Sequence, residues 1–491
     1  MNVNPQILAV SIDFARLEAA LVDSAGAIAH IETAPLPVIS RSAGRVFMEP
    51  AEVLQTAAAA VRAVAQRKPR EARRIAGVGL IGRSPSAALV GDDGPETPFI
   101  LPADERARRA AESLDCDARQ LRAISGLGPE RMELPAVMAA FGDAAGKLLT
   151  PKDFLKWALT GAFTTDALDA QRTFLFDLES RGWSAELQRL FGVDRTRLAE
   201  ILPAEAPAGP LSEKAACAFR LPAGLPVSCG MGDWGEYLGA GAWRPGDAFE
   251  HIGTTGAFYG VTDSRPPREA AFDVRPHASP GLYLAGREGL PGGACLEWLL
   301  EKSFLTRDGE IDWPRVEDEL EAVAAMGKPE NVQFFPRLAG GAGQVSHGAF
   351  VDLRMSDNLT SLIQALMEGL FFDLKAVAEA LASNGWKPRA VYSTGQVGFK
   401  HAPRRTRAHI YGAPVHAGRR PGANLVSAAL VGAVAAGVYP TLEAAREKML
   451  DIDGGTAPDE HARALYEEHF ARWLAAQDAM RRTWKGDSAS A

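Results

Sequence analysis

Cysteine is scarce: four residues in 491, Cys116, Cys217, Cys229 and Cys295, are widely separated. They form no CxxC pair and no disulfide framework, so free thiols in a reducing cytoplasm are the expected state. Long apolar runs are missing too. The longest, Leu425–Tyr439, has fifteen residues, includes Ser427 and is rich in Ala and Gly. It falls short of the roughly 20 residues a membrane span needs and reads as a buried helix. The N-terminus lacks a basic region and its apolar run is broken by Asp13, which argues against a secretory signal. Positive charge is in deficit, with a net charge of -8 and a pI near 5.7. A general binder of nucleic acid or anionic membrane needs a concentrated basic face, so neither partner is expected. Arg404-Arg405 and Arg419-Arg420 read as solvated loops or anion contacts.

What is present is an ordinary globular composition, 47% hydrophobic and 23% charged, in a chain long enough for two or three domains. Apolar runs at Ile7–Ile12, Ala19–Val22 and Ala27–Ile31 predict an antiparallel meander. An Ala-rich helix near Ala51–Val64 and a buried strand at Ile75–Ile81 follow. That order predicts a mixed sheet faced by helices, an α/β domain. Leu101 to about Phe219 reads as mostly helical, with Leu202–Pro210 as a surface connection. The order restarts after Gly241: a hairpin at Phe249–Ile252 and Ala257–Val261, then strands at Asn331–Phe335 and Gly348–Val351. Leu359, Leu362, Ile363, Leu366 and Leu370 recur at helical spacing, and Ala390–Ser393 resumes as a strand.

The chemistry-bearing stretch is Val227–Gly260, which sets Asp233 in a Gly-rich turn about twenty positions before Gly253-Thr254-Thr255-Gly256. Phosphoryl transfer needs a base for the acceptor hydroxyl's proton, plus backbone N–H groups and a metal around the phosphates. Asp233 fits the base. Gly253–Gly256, between two apolar runs, fits a tight hairpin facing phosphate oxygens. On spacing alone, Asp233 fits a turn or cap equally well, and the Gly-Thr-Thr-Gly run a plain hairpin connection.

At these residues the chain resembles the FGGY family of carbohydrate kinases, and the likeness runs through nearly its whole length. It includes Leu149–Gly161 with Thr165-Asp166, Asp177 and Trp183-Ser184, then Gly230–Gly241 and Gly253–Gly256. It continues through Phe334-Phe335-Pro336, Gly348-Ala349-Phe350 and Glu368-Gly369, and ends with Ser393-Thr394-Gly395, Gly412–Val415 and Ala423–Gly437. The resemblance implies two ribonuclease H-like domains of the actin-like ATPase superfamily with a central cleft, here 1–243 on the acceptor side and 244–491 on the nucleotide side. It implies ATP and Mg²⁺ as cofactors and a small sugar, polyol or sugar acid as substrate. Asp233 becomes the catalytic base. Gly253, Thr254, Thr255, Gly256, Gly395, Gln396, Gly398 and Asn424 become nucleotide contacts. A cytoplasmic enzyme is expected, with a homodimer as the candidate assembly.

Three places depart from the family pattern. The first phosphate motif, Asp-x-Gly-Thr-Thr/Ser, is replaced by Ser11-Ile12-Asp13-Phe14-Ala15-Arg16. Either Ser11 or Asp13 falls on the aspartate. A two-residue shortening keeps strand parity and makes Asp13 the metal-placing residue, with Arg16 as a substitute phosphate contact or an exposed turn residue. The adenosine motif reads Gly395-Gln396-Val397-Gly398, which puts side chains where glycines usually stand. On the acceptor side Arg83, Asp104, Arg106 and Trp234 are the expected substrate contacts, Arg83 favouring an acidic acceptor. These departures also leave a second reading: a catalytically impaired pseudokinase that senses ligands or joins an assembly.

Overall fold

The computed structural model describes residues 4–13, 16–41, 44–82, 86–113, 117–129, 138, 141–142, 144–232, 234–266, 272–302, 306–307, 310–326, 329–336, 348–395, 401–419 and 422–487. The chain forms two compact units. The first holds Met1–Gly239, Pro267–Tyr283 and Gly422–Asp451; the second holds Ala240–Pro266, Leu284–Pro421 and Ile452–Ala491. The units therefore exchange segments, whereas the expected division was two contiguous stretches, 1–243 and 244–491. Gly422–Asp451 returns to the first unit because its apolar helix, Ala423–Ala435, packs on the strands Gln6–Ile12 and Ile75–Gly82. Among the described residues no helix is long and apolar enough to cross a membrane.

The first unit is built on a six-stranded sheet in the order Pro207–Pro210, Pro226–Ser228, Ile75–Gly82, Gln6–Ile12, Arg16–Asp23, Ile28–Pro35. The last three form the expected antiparallel meander, and Gln6–Ile12 runs parallel to Ile75–Gly82. Every residue from Gln6 to Ile12 is buried, as a strand covered on both faces must be. The helices Ala423–Ala435 and Pro151–Thr160 both pack against it. Pro50–Arg67 contributes Val53, Ala57, Val61 and Val64 to the same core. The supposed surface connection at Leu202–Pro210 ends instead in an edge strand, Pro207–Pro210, antiparallel to Pro226–Ser228. Its two prolines are tolerated because an edge strand needs few ladder N–H groups.

In the second unit the strands stand in the order Tyr283–Pro291, Thr255–Thr262, Asp247–Ile252, Ala390–Thr394, Val415–Ala417. Asp247–Ile252 is antiparallel to Thr255–Thr262 and parallel to Ala390–Thr394. By sequence order this is third, second, first, fourth, fifth, the same arrangement as the five principal strands of the first unit. The long helix Leu359–Ala382, capped by Asn358, buries most of its length. Arg404 is buried in the helix His401–Tyr411 and paired with Asp453, so it is a structural ion pair and not a solvated loop cation.

Candidate active site

The second unit supports the Gly253–Gly256 hairpin with residues far apart in sequence. Ile252 pairs with Gly256, and the Gly253 N–H donates to the Thr255 carbonyl at 3.1 Å. Thr254 and Thr255 are exposed at the tip. The hairpin is held from behind by the start of the helix Gly293–Lys302, where the Gly293 and Ala294 N–H groups donate to the Gly253 and Thr254 carbonyls at 2.7 and 3.2 Å. Gly395 reaches the same strand end. Its φ is +87°, and a Cβ there would lie 2.2 Å from the Ile252 carbonyl oxygen, so only glycine fits. His251 Nδ1 joins Thr394 Oγ1 at 3.0 Å, tying the two motifs together. Beneath them Glu250, fully buried, accepts from Arg407, from Ser393 Oγ at 2.6 Å and from Tyr411 Oη at 2.5 Å.

In the first unit the turn leading to Asp233 rests on buried charge. Lys152 Nζ contacts Asp153, Asp166 and Asp169 at 2.8, 2.9 and 3.3 Å, and Lys156 Nζ contacts Asp153 at 2.8 Å. Both lysines also donate to the Cys229 carbonyl, at 3.4 and 3.0 Å. Burial alone would depress the Lys152 pKa, but its three carboxylate neighbours hold it well above the usual lysine range. Burial likewise raises Asp153, yet Lys152 and Lys156 outweigh it and keep that carboxyl below its ordinary value. Asp169 goes the other way: burial, with Asp166 and Asp153 opposing Lys152, pushes it up to about 8. Met231 bridges to Ile81, and its carbonyl accepts from the Gly82 N–H at 3.0 Å. Trp234, just past the turn, is 8% exposed with φ +66°. A bulky residue in that left-handed region is strained, and such strain persists only where the surroundings enforce it.

Asp233, Arg83, Gln396 and Gly398 lie outside the described residues. Asp13 is half-buried at the first hairpin, where its N–H donates to the Arg16 carbonyl at 2.9 Å; Arg16 is exposed. Asn424, expected at the nucleotide, instead donates to Ser11 Oγ at 2.9 Å and Glu18 Oε2 at 2.8 Å within the first unit. The reason is position: it opens the helix Ala423–Ala435 beside the Ser11–Glu18 cross-strand pair. Asp104 is wholly buried, accepting from the Val46 and Arg106 N–H groups and from the Arg106 guanidinium, each at 2.9–3.0 Å. Burial raises its pKa, but these donors outweigh that and hold it below the ordinary value. Asp104 thus serves as a local anchor, which leaves no carboxylate lone pair pointed at solvent for a sugar hydroxyl.

Sequence reasoning cited Lys152, Lys156 and Asp166 only as pieces of a motif and passed over Asp169, Glu250 and Arg407. For Lys152 and Lys156 the available signal was charge set among Phe154, Leu155 and Trp157 in one short helix; Asp169, Glu250 and Arg407 gave none.

The match to known proteins decides the family. The N-terminal and C-terminal domain models of the FGGY family of carbohydrate kinases match residues 8–236 and 252–436. The chain belongs to this family. Erythritol kinase of Brucella abortus is 27% identical over 474 residues, covering 90% of each chain. Glycerol kinase of Gloeobacter violaceus is 28% identical, covering 98% of this chain and 97% of its own. Among solved structures, gluconate kinase from Lactobacillus acidophilus superposes with a TM-score of 0.85 at 20% identity, over 97% of this chain and 98% of that one. The fold is that of the actin-like α/β kinases, and the family's members are phosphotransferases that act on alcohol groups.

Proposed function

We propose that this FGGY kinase transfers the γ-phosphate of ATP to a hydroxyl of a small polyol, sugar or sugar acid, with Asp233 as general base. The observation that carries the reading is the convergence of Gly253–Gly256 and Gly395 at one pair of strand ends, cross-tied by His251 and Thr394. In this reading the first unit supplies the acceptor side and the second unit the nucleotide side. The hairpin tip of Thr254 and Thr255 binds phosphate oxygens, and Gly395 lets the nucleotide approach the backbone. Asp233 receives the hydroxyl proton as the oxygen attacks phosphorus, and ADP leaves. A single carboxylate suits Mg²⁺, which keeps most of its waters and is otherwise held by phosphate oxygens. Asp13 at the first hairpin would supply that carboxylate, and the ion would neutralise charge on the phosphates. Arg83, Arg106 and Trp234 are the proposed acceptor contacts, in a cytoplasmic enzyme assembled as a homodimer.

The test is ADP release with erythritol, D-xylulose, glycerol and D-gluconate, for wild type and Asp233→Asn. Turnover of one acceptor, lost in the nearly isosteric amide, is the expected result. Wild-type turnover in Asp233→Asn would sink the base assignment. One observation favours the pseudokinase alternative: Asn424 spends its amide on the first hairpin. Absence of both turnover and Mg-ATP binding would establish it.

A further inference from the structure

Five buried charged side chains cluster under the Cys229–Gly232 turn, and Arg172, also buried, lies on the helix that carries Asp169. Lys152 and Lys156 face Asp153, Asp166 and Asp169, and all five side chains are 4% exposed or less. Burial disfavours the charged form of a carboxyl most where its ion contacts are weakest, and a low-dielectric site then favours the protonated acid. Asp153 and Asp166 each sit within 2.9 Å of an ammonium, whereas Asp169 is the most distant, at 3.3 Å. Its Oδ2 accepts from Thr150 Oγ1 at 3.0 Å, and its Oδ1 has no hydrogen-bond partner among the described residues. That bare oxygen lies against the backbone of Gly232. A Cβ built on Gly232 would be 2.5 Å from Asp169 Oδ1 and 2.6 Å from its backbone nitrogen, so chain and carboxyl touch directly. The next residue in sequence is Asp233.

We propose that Asp169 is a positioning residue for phosphoryl transfer, a neutral carboxyl on which the Gly232 turn, one residue before Asp233, is seated. This rests on Asp233 being the base. The proton matters for a simple reason: an ionised Asp169 would put a second negative charge next to the segment that carries the catalytic carboxylate. The groups facing Asp169 are Lys152, Asp153 and Thr150 from the start of one helix and Asp166 from the start of its own, with Cys229 beyond the lysines; Arg172 lies one turn further along its own helix. Burial raises the Cys229 thiol against the pull of Lys156 and Lys152, so it adds no charge near neutrality.

The experiment compares wild type, Asp169→Ala and Asp169→Asn in ADP release across pH, and in thermal melting without substrate. Asp169→Ala is expected to lower kcat at least tenfold at pH 7 while KM for ATP changes less than threefold. Asp169→Asn, which mimics the protonated acid, should restore kcat to within threefold. With Asp169 titrating near 8, wild-type kcat falls to about a tenth by pH 9 as the proton is lost, and the Asn variant lacks that alkaline limb. Melting reads the same proton without turnover. A carboxyl raised from about 4 in the unfolded chain to about 8 in the fold costs stability as pH rises between those values. The melting temperature of Asp169→Asn should therefore climb relative to wild type from pH 5 to 8 and then level. Parallel alkaline limbs in wild type and Asn, failure of Asn to restore kcat, or a constant melting difference would each overturn the proposal. The Asp233→Asn control separates the two ideas: activity there removes the base, while the melting comparison still judges the Asp169 proton.

Discussion

Replacing Arg407 by leucine strips the guanidinium from Glu250 at a point where neither side chain reaches solvent. Glu250 stands two residues before Ile252, so the uncompensated carboxylate would lie within the strand that feeds the Gly253–Gly256 hairpin. Breaking a buried pair by removing one partner costs about 3–5 kcal/mol. The Ser393 and Tyr411 hydroxyls still donate to the carboxylate, and they place Arg407→Leu toward the lower end of that range. Removing both charges in Glu250→Leu/Arg407→Leu trades an ion pair for apolar packing, which is often near neutral. Each hydroxyl left without its acceptor then costs about 1 kcal/mol. The double variant is therefore expected to lose only about 2 kcal/mol and to be more stable than the single one. Hydrogen exchange of the Asp247–Ile252 amides in a urea series reads the opening free energy of this unit alone. A loss below about 1 kcal/mol for Arg407→Leu, or a double variant no more stable than the single, would refute the reasoning.

Asp13→Gly is expected to weaken Mg-ATP binding at least about tenfold by calorimetric titration, since the carboxylate is assigned to metal placement; tighter binding would put Asp13 on the glycine position instead. Gly395→Ala forces a Cβ to within 2.2 Å of the Ile252 carbonyl at positive φ. It should cost about 1–3 kcal/mol and reduce the melting shift given by Mg-ATP. Asp104→Asn should destabilise the fold by about 1.5–3 kcal/mol at pH 7, the worth of charged hydrogen bonds. Because the folded Asp104 titrates below its unfolded value, that stabilisation is full above the unfolded pKa of about 4 and is lost as pH falls through the folded one. The difference between Asp104→Asn and wild type should then close in acid, as followed by urea unfolding between pH 3 and 7.

By itself the sequence determined the principal strands at the start of each half, because one-face burial writes a period into the chain and continuous burial writes an apolar run, whereas the short strands between Leu101 and Phe219, read as mostly helical, were not legible. The meander Gln6–Pro35, the helix Leu359–Ala382 and the hairpin at Gly253–Gly256 were legible for that reason, and so was the family, through motif order. Tertiary structure decided what local pattern cannot carry. Asn424 looks like a nucleotide contact until Ser11 and Glu18, some four hundred residues away in sequence, arrive beside it. Asp104 looks like an acceptor ligand until the Val46 N–H and the Arg106 guanidinium use up its oxygens. The return of Gly422–Asp451 to the first unit and the buried charge cluster of Lys152, Lys156, Asp153, Asp166 and Asp169 were equally hidden. Electrostatic energy depends on distance and burial in space, and a linear sequence records neither.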